Sequence, residues 1–152
     1  MTLGRSVLTA MAALALGMAA PSLSAARDVA SGAASAKAGI SYGEWTDPAR
    51  GGRVVPYKLY MPAGPGPFPL IVHSHGLGGS REGSSYILQA MAEAGFAVVA
   101  LQHAGSDTAI LAGFRPGDEA GLLGKLPPDA AVNRFGDVPF ALDQLTRMTA
   151  PG

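Results

Sequence analysis

One stretch in the middle of the chain constrains its fold more than any other. It runs from Leu70 to Leu101 and reads LIVHSHGLGGSREGSSYILQAMAEAGFAVVAL. An apolar run leads into a glycine-rich turn, and a segment with apolar residues at helical spacing leads into a second apolar run. Continuous apolar runs are typical of strands that are covered on both faces. Strand, helix and strand joined by such short connections predict a βαβ unit, with parallel strands and a right-handed crossover.

Local signals give the expected bounds of this unit. Ser84 or Ser85 can cap the helix through its side-chain oxygen. Gly95 occupies the position where a left-handed helix stop is expected. The expected bounds are 70–72 and 96–101 for the strands and 86–94 for the helix.

Further elements are expected on either side of the unit. Residues 53–61 alternate apolar and polar side chains at period two, which predicts a strand. Pro56 lacks the N–H of a strand ladder, so this strand is expected at or near a sheet edge. A shorter strand is expected at 40–45. Near the end of the chain, Asp137 is expected to cap a last helix that carries Pro139 in its first turn.

Charge and composition exclude several classes of protein. Lysine plus arginine number 11 and aspartate plus glutamate number 11, and the charges are scattered along the chain. This balance argues against a nucleic-acid partner and against a polybasic membrane patch. The absence of cysteine excludes disulfides, thiolate metal sites and a cysteine nucleophile within these residues.

The amino-terminal end has the pattern of a secretory signal. Arg5 precedes an apolar run from Val7 to Ala20, and Ser24 and Ala26 suit the small-residue positions before a cleavage site. As a helix the apolar run would span only ~21 Å, less than a ~30 Å hydrocarbon core. We therefore expect an exported protein, periplasmic or secreted, with no stable membrane span after cleavage. The expected division is 1–26 signal peptide, 27–39 flexible lead-in and 40–152 folded domain.

The glycine-rich turn after the first strand of the βαβ unit is the most informative place for chemistry. Glycine permits backbone conformations that leave N–H groups unpaired, and helix starts leave donors open as well. Fixed N–H dipoles of this kind are what an oxyanion hole requires. The turn also lies at the carboxyl end of a strand, where functional groups collect in parallel sheets.

Residues 53–147 resemble the amino-terminal part of an α/β-hydrolase. They are most similar to its dienelactone-hydrolase-like and platelet-activating-factor-acetylhydrolase-like branch. The sharpest motifs are S-H-G-L-G-G in the turn and G-F-A-V-V-A-L-Q-H at the second strand, followed by NRFGDVPFALDQL. The resemblance implies an α/β fold, the three-layer α/β-hydrolase sheet with helices on both faces. It also implies a serine-dependent carboxylic-ester hydrolase that acts on a small-molecule ester or lipid-like substrate and needs no cofactor.

The resemblance also implies roles for residues of the turn. In this family the turn after the strand supplies one oxyanion-hole N–H. The matching donor here is the backbone N–H of Leu77, with Gly76 and Gly78 giving the turn its shape.

The chain departs from the family pattern in one large respect. The family carries its nucleophile in a G-x-S-x-G elbow, and that motif occurs nowhere in the 152 residues. We therefore expect an incomplete domain whose carboxyl-terminal half is absent, inactive on its own because nucleophile, acid and base are missing. Ser74 and His75 point to opposite faces of a strand and cannot pair. Ser106 and Asp107 near His103 are expected to be loop residues rather than parts of a triad.

Two other hypotheses stay open at this point. His73 and His75 form an H-x-H pair on one strand face, a real metal-ligand spacing, and His103 at the next strand end could be a third ligand. A metal-dependent hydrolase would use these three side chains. The other hypothesis is a catalytically silent fragment.

Overall fold

The computed structural model describes residues 37–149. The predicted signal peptide and most of the lead-in lie outside the described residues. The elements in chain order are β1 Gly39–Asp47, β2 Arg53–Met61, β3 Leu70–Ser74, α1 Ser85–Glu93, β4 Ala97–Leu101, α2 Glu119–Leu123 and α3 Ala130–Thr149, with short 3₁₀ turns at Pro48–Arg50 and Thr108–Leu111. Within residues 37–149, no helix has the length and hydropathy needed to cross a bilayer.

The four strands form one open sheet in the order β1-β2-β4-β3. β2 pairs antiparallel with both β1 and β4, whereas β3 and β4 pair parallel, with Leu70 opposite Ala97 and Ser74 opposite Leu101. The helix α1 connects these two parallel strands. The predicted βαβ unit is confirmed, and so is the mixed α/β class of the fold.

The strand β4 is the centre of the core, and all five of its residues are buried. Val98 and Ala100 pack in one apolar cluster, and Val99 and Leu101 pack in another. Because side chains alternate along a strand, the two clusters lie on opposite faces of the sheet. The first cluster includes Leu88 and Ala92 of α1, and the second includes Ala141 of α3.

The strand containing Pro56 lies near a sheet edge, as predicted, but not at it, because β2 is the second strand of the sheet, between β1 and β4. The β2–β4 ladder begins only at Tyr57, which pairs with Leu101. Beyond that pair, the Pro56 carbonyl oxygen accepts from the backbone N–H of Gln102 at 2.8 Å. The missing proline donor therefore falls at the end of this ladder, where it interrupts nothing.

The prediction for the last helix is wrong in its start. α3 begins at Ala130, directly after the Pro127-Pro128-Asp129 segment, so Asp137 and Pro139 lie inside it. Asp137 does not cap the helix, because its carboxylate is fully buried against side chains from other elements. Tertiary hydrogen bonds to that carboxylate replace the local role that the sequence suggested.

The start of α1 lies where the sequence predicts it, but the predicted capping hydrogen bond is not the one that stabilises it. Ser84 is the cap residue in left-handed conformation, with φ 59°, and its side chain makes no capping hydrogen bond. The hydroxyl of Ser85 instead donates to the Glu82 carbonyl oxygen at 2.6 Å. The predicted left-handed stop at Gly95 is confirmed, with φ 98°.

Candidate active site

The turn after β3, residues 75–79, is tied to the segment that follows β4. The N–H of Gly78 donates to the Ser106 carbonyl oxygen at 2.9 Å, and the N–H of Gly79 donates to the Gly76 carbonyl oxygen at 3.0 Å. Within the part of the chain that the structure describes, the N–H of Leu77 has no hydrogen-bond acceptor. The turn therefore fixes the two amides that follow an unpaired donor.

The glycines of this turn are not equivalent. Gly78 has φ 71°, and a Cβ there would lie 2.9 Å from a Leu111 methyl carbon. A Cβ at Gly79 would lie 2.9 Å from the Cβ of His75. Gly76 has neither a positive φ nor any atom within 4 Å of such a Cβ. The backbone of the turn thus requires glycine at 78 and 79, and at 76 it does not.

His75 occupies the inside of the turn and is only 4% exposed. Its Nδ1 lies 2.7 Å from the Gly76 carbonyl oxygen, and its Nε2 accepts from the backbone N–H of His103 at 3.0 Å. Only the neutral imidazole with its proton on Nδ1 satisfies both contacts. Burial lowers the pKa of His75, and the nearby His103 and Arg134 lower it further.

Arg134 of α3 also contacts this turn. Its guanidinium donates to the His75 carbonyl oxygen and, at 2.9 Å, to Oγ of Ser106. Beside it lies a pocket of about 270 Å³ that includes the side chain of Leu77. The other residues that line the pocket are Ser106, Leu126, Ala130, Ala131 and Arg134.

A chain of polar side chains runs from Asp137 and His103, which are buried, to Ser74, the exposed last residue of β3. Asp137 Oδ2 lies 2.8 Å from Nδ1 of His103, and Nε2 of His103 lies 3.0 Å from Oγ of Ser74. Arg50 and Arg53 also bind the Asp137 carboxylate, each at 2.8 Å. Burial alone would raise the pKa of Asp137, but the hydrogen bonds from Arg53, His103 and Arg50 outweigh it and hold the pKa well below its usual range.

The hydrogen-bond order Ser74–His103–Asp137 is that of a serine nucleophile with its base and acid. Two guanidinium groups already neutralise the Asp137 carboxylate, so little charge remains to stabilise an imidazolium on His103. We interpret this row of hydrogen-bonded side chains as a structural connection between β3, the segment after β4, and α3. Sequence reasoning missed it, and the one signal was that Ser74 ends one of two adjacent parallel strands and His103 follows the end of the other.

The three histidines of the metal hypothesis are not assembled as ligands. The rings of His75 and His103 lie 5.2 Å apart between centroids, but hydrogen bonds occupy both nitrogens of each ring. His73 lies within β3, half-buried, and burial lowers its pKa. Among residues 37–149, no group of three histidine, aspartate or glutamate side chains is arranged to hold a metal ion.

A solved structure and a protein family match parts of this chain. A crystal structure described as hypothetical protein PA2218 from Pseudomonas aeruginosa is 30% identical over 44% of this chain, with a TM-score of 0.38. The matched part is 21% of that chain, so the present chain spans about a fifth of its length. No match was found among curated proteins. The sequence model of the family described as "Platelet-activating factor acetylhydrolase, isoform II" matches residues 38–119, more than half of the chain.

That match includes the turn at 75–79 and both parallel strands, and it confirms the acetylhydrolase-like resemblance of the sequence. The chain belongs to the platelet-activating factor acetylhydrolase, isoform II, family.

Proposed function

We propose that the protein is a serine-dependent hydrolase of carboxylic esters, and that the turn at 75–79 supplies one donor of its oxyanion hole. Membership of the acetylhydrolase family supports the reaction class and a small, lipid-like ester as substrate. The donor is the backbone N–H of Leu77. We also propose the rest of the hydrolase architecture for the whole protein, a longer sheet with helices on both faces.

The unpaired N–H of Leu77 is the observation that carries this proposal. The two residues that follow it in the turn, Gly78 and Gly79, donate to carbonyl oxygens, so the backbone is fixed directly next to this free donor. When a serine attacks an ester carbonyl, the carbonyl oxygen gains negative charge, and a pre-oriented N–H stabilises that charge without reorganisation. The pocket of about 270 Å³ that Leu77 lines provides an apolar surface for the adjoining part of the substrate.

The nucleophile of this proposal is a serine in a G-x-S-x-G elbow, a motif that the 152 residues do not contain. On its own, therefore, the chain is expected not to turn over esters. The elbow serine would attack the carbonyl carbon, its proton would pass to a histidine base, and the alcohol would leave with that proton. Water would then hydrolyse the acyl-enzyme by the same steps.

The proposal is tested by the coding sequence that follows Gly152 and by chemical labelling. A G-x-S-x-G motif is expected within roughly the next forty codons. The polypeptide that includes it should hydrolyse an activated short-chain ester, and a fluorophosphonate probe should label the elbow serine. Sustained ester turnover by the 152-residue chain, or a downstream sequence without the motif, would contradict the proposal.

We propose in addition that the protein is exported. The support is the Arg5 charge, the apolar run and the small residues before Ala26. Expression in a bacterial host should yield an exported protein that begins at Arg27, which intact-mass spectrometry would detect as loss of the first 26 residues. Recovery of unprocessed protein from the cytoplasm alone would count against export.

A further inference from the structure

We propose that His75 is a positioning residue, whose neutral imidazole orients the peptide between Gly76 and Leu77 so that the Leu77 N–H faces the substrate. Its catalytic consequence rests on the proposed function above. The orientation of the peptide does not, and it can be measured separately.

The first step concerns the peptide plane. The Gly76 C=O and the Leu77 N–H belong to one planar trans unit, so they point in opposite directions. Two donors hold that carbonyl oxygen, Nδ1 of His75 at 2.7 Å and the N–H of Gly79 at 3.0 Å. Fixing the oxygen on the inner side of the turn leaves the Leu77 N–H directed outward.

The second step concerns what holds His75 itself. Its Nε2 accepts from the backbone N–H of His103 at 3.0 Å, and its carbonyl oxygen accepts from the guanidinium of Arg134. The imidazole ring is therefore held by the segment that follows β4, and the backbone carbonyl of His75 is held by α3. A protonated ring would bring an N–H against the His103 N–H, so protonation has to break this contact.

The third step concerns the charges around the ring. Burial is the largest influence and lowers the pKa of His75. His103 and Arg134 also lower this pKa, whereas the hydrogen bond to Gly76 and the charge of Asp107 raise it. Asp137 lies behind His103, bound to its Nδ1, and is neutralised by two arginines. The lowered pKa keeps the imidazole neutral at neutral pH, which keeps the Leu77 donor in place.

A pair of substitutions at His75 distinguishes the hydrogen bond made by Nδ1 from the one made by Nε2. The side-chain amide of His75→Asn reaches the position of Nδ1 and can still donate to the Gly76 carbonyl oxygen. The amide of His75→Gln reaches the position of Nε2 and retains only the contact with His103. His73→Asn, a substitution of the half-buried histidine two residues earlier on β3, is the matched control.

The first readout is ¹⁵N NMR of the 152-residue chain, which needs no catalysis. We expect His75 to show a single neutral tautomer with its proton on Nδ1. The Gly79 amide should be protected from hydrogen exchange and the Leu77 amide should not. Protection of Gly79 should persist in His75→Asn and His73→Asn and fall in His75→Gln. A proton on Nε2 instead, or equal protection in the Asn and Gln variants, would overturn the proposal.

The second readout is ester hydrolysis by the polypeptide that carries the elbow serine. Since an oxyanion hole acts in the transition state, His75→Gln should lower kcat by about 10- to 100-fold and leave KM nearly unchanged. His75→Asn should retain most of kcat, and His73→Asn all of it. Equal losses in the Asn and Gln variants would overturn the positioning role. An inactive wild-type polypeptide would refute the proposed function instead, and the NMR result would then decide the role of His75.

Discussion

At the scale of single residues, the turn at 75–79 shows what a motif does and does not specify. The glycine-rich sequence predicts a tight turn with free N–H groups, and the structure has one at Leu77. The sequence does not distinguish its glycines, because the requirement at Gly78 arises from its φ of 71° and from contact with Leu111, a residue distant along the chain. The inward position of the His75 side chain could not be predicted from the sequence either, since its hydrogen-bond partner His103 follows a different strand.

This difference between glycines predicts unequal effects on stability. Gly78→Ala should destabilise the fold by about 1–2 kcal/mol, because alanine is strained at a positive φ and its methyl group would meet Leu111. Gly76→Ala should change the free energy of unfolding by less than about 0.5 kcal/mol, because the site is open and has no positive φ. Denaturant unfolding of both variants checks this, and equal losses would refute it.

At the scale of elements, local patterns locate helices and strands better than they locate their ends. The last helix, α3, was predicted, but its start was placed eight residues late because Asp137 resembles a cap before Pro139. The real function of Asp137 is to bind Arg50, Arg53 and His103 across the fold. No local signal contains those contacts, since they join residues more than thirty positions apart.

The buried carboxylate of Asp137 predicts a large and pH-dependent contribution to stability. Asp137→Asn should cost about 3 kcal/mol, because it leaves two arginines facing an uncharged partner in a buried site. Asp143→Asn, an exposed position on the same helix, should have little effect. The lowered pKa of Asp137 means that the unfolded chain takes up the proton first, so wild-type stability begins to fall once the pH drops below about 4 and continues to fall towards the folded-state pKa.

Denaturant midpoints of the wild type and both variants between neutral pH and pH 3 measure this. The difference between wild type and Asp137→Asn should shrink on acidification. A difference that is small at neutral pH, or that does not change with pH, would show that the Asp137 network does not hold α3 to the sheet.

At the scale of the whole molecule, the sequence predicted the βαβ unit, its parallel pairing and the family. It did not predict the strand order β1-β2-β4-β3, because a single proline indicated only a position at or near an edge and strand order depends on pairing between distant segments. Nor did it predict the polar chain from Asp137 to Ser74, which forms only when α3 packs on the sheet. Export and cleavage after Ala26 stay predictions.

The central claim is that one backbone N–H of this chain stabilises the charge formed during ester hydrolysis. In the polypeptide that carries the elbow serine, Leu77→Pro removes that N–H and Leu77→Ala keeps it. We predict that Leu77→Pro lowers kcat about 10²- to 10³-fold, and that Leu77→Ala retains most of it. NMR spectra should confirm that both variants keep the fold. A Leu77→Pro variant that stays folded and has the kcat of the wild type would contradict the claim.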